Sequence, residues 1–324
     1  MTINFSIILE SANLNIVQNE RLRLSLESIF SQPLSRQAVA FFIVTNGNIR
    51  PDELNQIISQ YPMIQILSAH GQGYEELKIY GAKKAISDIV VFIDSDCIYE
   101  PGWLHNILST FEDSEVKIVS GVTHNEVHSA YDFACAVTNG FRMPHELQAR
   151  EPFVSDHYHQ NGVAFRKSIF DQYPLPTNQP LYRSCSVHAR LLAKNQVPIH
   201  CQPKAISWHP APVGGVNFFW LYLLMGHDTF KLSQHLHEPH RYPISYHFIN
   251  LFQRSIRTPL QRLKATFQSH LVPNKWWFGS LLVIGAAIFF EWLGAMMFFM
   301  VGSKTIWKCM PKNIMNSTTS SYRS

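Results

Sequence analysis

Two carboxylates one residue apart, Asp94 and Asp96, close the apolar run Ile89-Val90-Val91-Phe92-Ile93. A buried strand that ends this way delivers its acids to the carboxyl edge of a sheet, where open α/β folds bind ligands. Oxygen ligands of this kind can hold a hard divalent cation, and Mg2+ typically takes one or two carboxylates together with substrate phosphates. Such an ion neutralises charge on a leaving diphosphate. Asp-x-Asp pairs also occur in solvated loops, so the apolar strand in front is what makes this pair a candidate. His209, in Ser207-Trp208-His209-Pro210, ends another strand-like run; neutral imidazole suits Mn2+ better than Mg2+, although a lone histidine is more often structural.

The elements that must position these groups follow a simple rhythm. Apolar runs at Phe5–Leu9, Val39–Val44, Ile64–Leu67 and Ile89–Ile93 alternate with helical patterns over about 19–30, 52–60 and 75–86. Strand, helix, strand in this order predicts a mostly parallel sheet covered on both faces. Pro51-Asp52-Glu53 suits a helical first turn, where free N–H groups favour negative charge. From 103 to 209 the pattern becomes mixed: a helix near Trp103–Phe111, a strand near Lys117–Gly121, an irregular stretch rich in His and Asn, a helix near Val187–Lys194, and a closing strand over Pro198–Trp208.

Composition narrows the function. The chain has 324 residues, 15% charged and 46% hydrophobic, with a formal net charge of +4. That is charge-poor for a soluble domain and too mildly basic for a dedicated nucleic-acid binder. Five scattered cysteines, without a C-x-x-C pair, argue against a disulfide framework or a zinc module. The first ten residues lack a basic n-region, so no signal peptide is expected and the chain is assigned to the cytoplasmic side. Cys97 reads as a small buried hydrophobe.

Beyond 213 the composition shifts. An aromatic stretch at 217–225 precedes five histidines within 227–247, read as a surface meeting membrane or acceptor because their spacing is not that of a zinc site. Arg254, Arg257, Arg262 and Lys264 follow at helical spacings, and then Trp276–Val301 runs for about 26 residues with one acid, Glu291. At 1.5 Å per residue such a helix reaches about 39 Å, enough to cross a hydrocarbon core of about 30 Å with tilt. Trp276, Trp277 and Trp307 are placed like interfacial belts, with Lys275, Lys304 and Lys308 at the flanks and the basic cluster marking the cytoplasmic side. Glu291 is costly near the middle, which leaves open a bent hairpin, a monotopic insertion or a helix packed on a partner.

From Ser6 to about His209 the chain resembles the family 2 glycosyltransferases, inverting enzymes with the GT-A fold. The resemblance is carried in order by Ser6–Asn13, the helix Leu22–Ile29 with Gln32 after it, Phe42–Asn48, the Asp94-Ser95-Asp96 strand continuing into Glu100–Leu104, and Asn161–Ser168. It implies a Rossmann-like three-layer α/β sandwich over 1–212; beyond it, composition and length give an amphipathic basic region at 213–272, a membrane segment at 273–302 and a polar tail at 303–324. It further implies that Asp94 and Asp96 hold Mg2+ or Mn2+ on the nucleotide diphosphate, assisted by His209, with Asp94 also near the ribose. Lys78 falls where the family often has a basic residue facing the donor. Glu10, Ser11, Asn13, Thr45 and Asn46 fall in the turns around the nucleotide. Here the sequence departs from the family, which usually has proline where Glu10 stands and an aspartate near Thr45.

Inverting transfer needs a group that takes the proton of the acceptor hydroxyl. The family supplies it from an acidic pair just before the helix that here covers 187–194, but this chain has Arg183-Ser184-Cys185-Ser186. Serine and cysteine do not replace an acid without an activator of their own. His188, His157, His159 and above all Asp156 are the candidates nearby. The sequence is therefore read as a glycosyltransferase at the cytoplasmic face of the inner membrane, using a nucleotide sugar and a lipid-linked or polysaccharide acceptor, with no nucleic acid. A non-catalytic relative that binds nucleotide sugar or partner transferases is the alternative. A nucleotidyltransferase is less favoured, since no Gly-rich N-terminal loop with Arg and Lys is present.

Overall fold

The protein is described by a computed structural model, which covers residues 3–13, 19–147, 149–177, 184–236, 244–269 and 272–311. Strands β1 (Phe5–Glu10), β2 (Ala40–Thr45), β3 (Ile64–Ser68) and β4 (Ile89–Asp94) pair in parallel in the order β3-β2-β1-β4. Helices α1 (Asn19–Phe30), α2 (Pro51–Gln60) and α3 (Tyr74–Lys84) connect them. Every residue of β1, β2 and β4 is buried, the mark of strands covered on both faces. One face packs Ile7, Leu9, Phe41, Ile43, Val91 and Ile93 against α1 residues Leu22, Leu26 and Ile29. The other packs Ile8, Phe42, Val44, Val90 and Phe92 against Leu77 and Ala82 of α3. Helix α3 lies very close: a Cβ on Gly81 would come within 2.6 Å of Ile8.

Beyond β4 the sheet becomes mixed. The short strand β5 (Ile98–Tyr99) and α4 (Trp103–Ser109) lead to β6 (Ile118–Asn125), longer than the 117–121 run read from the sequence. The stretch expected to be irregular holds α5 (Ala130–Thr138), β7 (Phe153–Ser155) and β8 (Gly162–Arg166). Strand β8 inserts antiparallel between β4 and β6. After α6 (Lys167–Gln172) and α7 (Ser184–Lys194), β9 (Ile199–His209) pairs in parallel with β6 and antiparallel with β5 and β7. Gly162 is where Trp103 lies against the backbone, 3.4 Å from where a Cβ would sit. This pairing returns His209 to the same edge of the sheet as Asp96.

The remaining chain is helical: α8 (Gly215–Leu236), α9 (Ile244–Phe252), a π-helical turn (Gln253–Arg257), α10 (Thr258–Ser269) and α11 (Trp277–Lys308). Helices α8 and α11 touch backbone to backbone. A Cβ on Gly226 would lie 1.8 Å from the Glu291 carbonyl oxygen, and one on Gly294 would lie 1.9 Å from that of Leu223. Small residues at such a crossing are the usual means of close helix approach in lipid.

Several expectations for this region are corrected. His227 does not face a surface; it is fully buried between Asp228, at 3.0 Å, and Ser303, at 2.9 Å. His237 and His240 lie outside the described residues, as do the side chains of His235 and His247. Half of the basic cluster is consumed internally, while Arg257 and Lys264 are exposed. Arg262 donates to Glu146 at 2.8 and 2.9 Å and to the carbonyls of Ala136, Val137, Asn139 and Phe141, satisfying the acceptors that the C-terminal end of α5 leaves open. Arg254 lies 3.3 Å from Glu291, which is how the one acid of the apolar segment is accommodated. Trp307 is buried, not placed at an interface.

Candidate active site

Parallel pairing in register sets Glu10 beside Asp94 at the carboxyl ends of β1 and β4. Both are buried. Lys78, also buried, reaches across from α3 with Nζ 2.6 Å from Asp94 Oδ1, and donates as well to the Gln160 carbonyl at 2.6 Å. Tyr74, one helical turn before Lys78 and therefore on the same face, points its hydroxyl at both Asp94 oxygens, at 3.0 and 2.9 Å. Asn13 Nδ2 lies 3.3 Å from Glu10 and 3.4 Å from Asp94. Burial pushes the Glu10 carboxyl well up, with the Asp94 charge adding to it. Burial likewise raises Asp94, against the pull of Lys78.

Asp96 turns the other way. Its Oδ2 lies 3.5 Å from His209 Nε2, and ligand atoms of Asp96, Cys97 and His209 all fall within 4.8 Å of one another. Arg21 on α1 fixes this turn, donating from Nε to the Asp96 carbonyl at 2.7 Å while pairing with Glu126 at 2.5 Å. The two acids of the motif thus have different surroundings: Asp94 is engaged by Lys78, Tyr74 and Asn13, and Asp96 faces the imidazole. The carboxylate and imidazole at this edge fit a divalent cation that accepts oxygen and nitrogen donors.

Around this floor, Ser11 Oγ donates to Asn48 Oδ1 at 2.6 Å and Thr45 Oγ1 does so at 3.3 Å, tying the loops after β1 and β2 together. Asn46 is joined to the next loop through the Gln72 carbonyl, 3.4 Å away. Asp156 is not gathered in. Its side chain is 96% exposed on the loop after β7, bonded at 2.7 Å to His157, whose hydrogen bond lowers its pKa. A stronger conjugate acid makes a weaker base, so this placement argues against Asp156 in that role. His188 is buried between Tyr158 and the Tyr173 carbonyl, and burial takes it down to about 4. His159 is held down to about 3 by burial and by His157 and His209; its ring packs 4.7 Å from that of Phe141, which in turn stacks 5.1 Å from His209.

Tyr74, Glu75, Gln160 and Arg21 escaped the sequence reading. Only Tyr74 carried a signal, its i,i+4 spacing to Lys78. The others depend on contacts 75 or more residues apart in sequence, which no local pattern encodes.

The sheet order and the acids at its edge define a GT-A glycosyltransferase fold. Residues 15–173, just under half of the chain, match the family model described as Glycosyl transferase family 2. The structure is similar to that of GalNAc-T7 with UDP, GalNAc and Mn2+, with a TM-score of 0.54 and 11% identity over 83% of this chain and 58% of that one. It is also similar to the mannosyltransferase PcManGT from Pyrobaculum calidifontis in complex with GDP-Man and Mn2+, with a TM-score of 0.57 and 14% identity over 91% and 88% of the two chains. In sequence, 70 residues are 30% identical to polypeptide N-acetylgalactosaminyltransferase 15 of Mus musculus, 21% of this chain and 11% of that protein. The chain therefore matches only a small part of that relative, and just over half of the GalNAc-T7 chain.

Proposed function

We propose that this enzyme transfers a sugar from a nucleotide-diphosphate donor to an acceptor hydroxyl with inversion, at the cytoplasmic face of the cell membrane, in the assembly of a polysaccharide or glycolipid. The observation that carries the reading is the placement of Asp96 opposite His209 at the rim of a buried Glu10–Asn13–Asp94–Lys78 floor. Asp96 and His209 would hold Mn2+ or Mg2+; bound there, the cation supplies positive charge against the departing diphosphate. Asn13 and the Asp94 carboxylate offer a donor and acceptors for ribose or sugar hydroxyls. Lys78 offsets part of the cost of burying the Asp94 carboxyl, and Arg21 keeps the Asp96 turn in place.

Membrane association is supported by α11. One side of it is buried through Ile284, Ala287, Glu291 and Ala295, while Phe278, Leu282, Phe289 and Met300 on another side are between 62% and 77% exposed. A stretch of 30 residues, Asn274–Ser303, is long and apolar enough to cross a bilayer, and Ile249, Phe252 and Leu260 add exposed apolar area from α9 and α10. A lipid-linked or growing polysaccharide acceptor suits an enzyme held in this way.

The test is calorimetric titration of the detergent-solubilised chain with UDP, GDP and TDP, with and without Mn2+, repeated with Asp96→Ala. Binding of one nucleotide that needs both Mn2+ and Asp96, followed by consumption of the matching labelled sugar donor in membranes, is the expected outcome. Saturation without turnover would replace it with the non-catalytic reading, and metal-independent binding would remove the site assignment.

A further inference from the structure

The N-terminus of α7, where an acid is missing, receives one from another element. Ser184, the first residue of α7, donates its hydroxyl to Oε1 of Glu75 in the first turn of α3, 109 residues away in sequence. Both residues are only 3% exposed. Glu75 Oε2 is buried and has no hydrogen-bond partner among the described residues, an unusual state for a carboxyl unless it serves a purpose or carries a proton. Ser184 Oγ also accepts from Gln160 Nε2 at 3.0 Å, and the Gln160 carbonyl accepts from Lys78, which holds Asp94. An unbroken chain of side-chain and carbonyl contacts therefore runs from Glu75 through Ser184, Gln160 and Lys78 to the donor floor.

We propose that Ser184, activated by Glu75, takes the proton of the acceptor hydroxyl, so that the acid missing from α7 is supplied from α3. This rests on the transferase reading above. As the acceptor oxygen bonds to the anomeric carbon, the bond from that carbon to the diphosphate oxygen breaks and the diphosphate leaves with the electron pair. The acceptor proton passes to Ser184 Oγ while the proton of Ser184 passes to Glu75. Ser184 touches the acceptor; Glu75 positions and drives it. The environment suits this role. Burial raises the Glu75 carboxyl to about 7, near the pH at which a general base is most effective. The ionisable and polar groups that face it are Tyr74, Glu76 and Lys78 on its own helix, Tyr158 ahead of β8, and Ser184 on α7.

The experiment measures nucleoside diphosphate released from a panel of UDP-, GDP- and TDP-sugars with Mn2+ by the full chain in its membranes, across pH. Glu75→Gln is expected to lower kcat on the order of 10²–10⁴-fold with KM for the donor and Kd for the nucleotide within about twofold, and to abolish the acid limb near neutral pH. Ser184→Ala should fall equally, and the double variant no further, as for groups that act as a unit. A Glu75→Gln/Ser184→Asp chain, with a carboxylate restored on α7, should regain at least about tenfold of the loss, since a positioned base is worth more than that. A Glu75→Gln enzyme that turns over like the wild type, or one that loses nucleotide binding together with kcat and keeps its acid limb, overturns the role of Glu75 while the transferase reading stands. A wild-type chain that releases diphosphate from none of the donors overturns both.

Discussion

Glu10 and Asp94 end neighbouring parallel strands in the same register, and the amide of Asn13 lies within 3.4 Å of both carboxyls. Two buried acids therefore share one floor with one buried cation, Lys78. Removing that cation leaves the acids without compensation. Lys78→Met is expected to cost about 3–5 kcal/mol, the usual penalty for breaking a buried pair by one partner, and Lys78→Met/Asp94→Asn should recover most of it. Urea denaturation of the two variants decides the point: equal losses in both would mean that Lys78 contributes through packing on Tyr74 and Phe92 rather than through charge.

The Glu75 carboxyl also has a stability signature, and its sign is fixed. Its folded pKa, about 7, lies above the ordinary 4.5, so the folded state binds more protons than the unfolded state between those values. Stability should fall as pH rises from about 4.5 to about 7 and then level off, with a total cost on the order of 3 kcal/mol. Glu75→Gln removes the dependence, so its advantage over the wild type should be larger at pH 8 than at pH 5. Parallel stability curves for the two chains would show that this carboxyl is not held up by burial. A gain in stability paired with a loss of turnover is what a strained functional group produces.

Much of the donor half of the site was legible in the sequence because local rules govern it. Five apolar residues before Asp94, and acids at a strand end, place a carboxylate at the sheet edge whatever the rest of the chain does. Lys78 comes from the family resemblance, and Tyr74, one helical turn before it, is overlooked although its spacing puts it on the same face. The acceptor half was not legible, because it depends on where β8 and α7 dock. Strand β8 could be anticipated as apolar but not as antiparallel, and the pairing of Ser184 with Glu75 joins segments 109 residues apart. Within the basic residues 254–264, the inward roles of Arg254 and Arg262 were hidden for a related reason: one pairs with Glu291 and the other caps α5, while Arg257 and Lys264 stay exposed.

The Arg254–Glu291 pair should behave as a coupled unit. Arg254 sits on the π-helical turn between α9 and α10, and Glu291 lies on the buried side of α11. Either single change, Arg254→Met or Glu291→Gln, strands a partner in an apolar setting and should cost about 3–5 kcal/mol. The double change should cost clearly less than the sum, giving a coupling energy of about 0.5–3 kcal/mol in a double-mutant cycle. Additive losses would mean that the two side chains act independently.

The crossing of α8 and α11 leaves no room for a side chain at Gly226 or Gly294, because each would meet a carbonyl oxygen of the other helix at under 2 Å. Gly226→Leu should separate the helices and lower the thermal midpoint of the helical region, whereas Gly285→Ala, on the open side of α11 with nothing within 4 Å, should leave it unchanged or slightly raised through better helix propensity. Circular dichroism melts in detergent compare the two, and an unaffected Gly226→Leu chain would show that the helices do not touch there.

The exposed side of α11 sets the last expectation. Phe278, Leu282 and Phe289 point away from α5 and α8, and in water each large apolar side chain left uncovered forgoes about 1.5–3 kcal/mol of burial. If lipid covers them, Phe278→Ser/Leu282→Ser/Phe289→Ser should weaken attachment by several orders of magnitude, on the order of 4–9 kcal/mol by the same scale. The buried face, with Ile284, Ala287 and Ala295, is untouched by these changes, so the fold should survive them. Sedimentation of membranes after alkaline washing, with nucleotide binding as the check on folding, reads the result. A triple variant that remains as firmly attached as the wild type would place the membrane contact elsewhere on the chain, and one that is released while still binding nucleotide would show that the donor site does not need the bilayer to hold its shape.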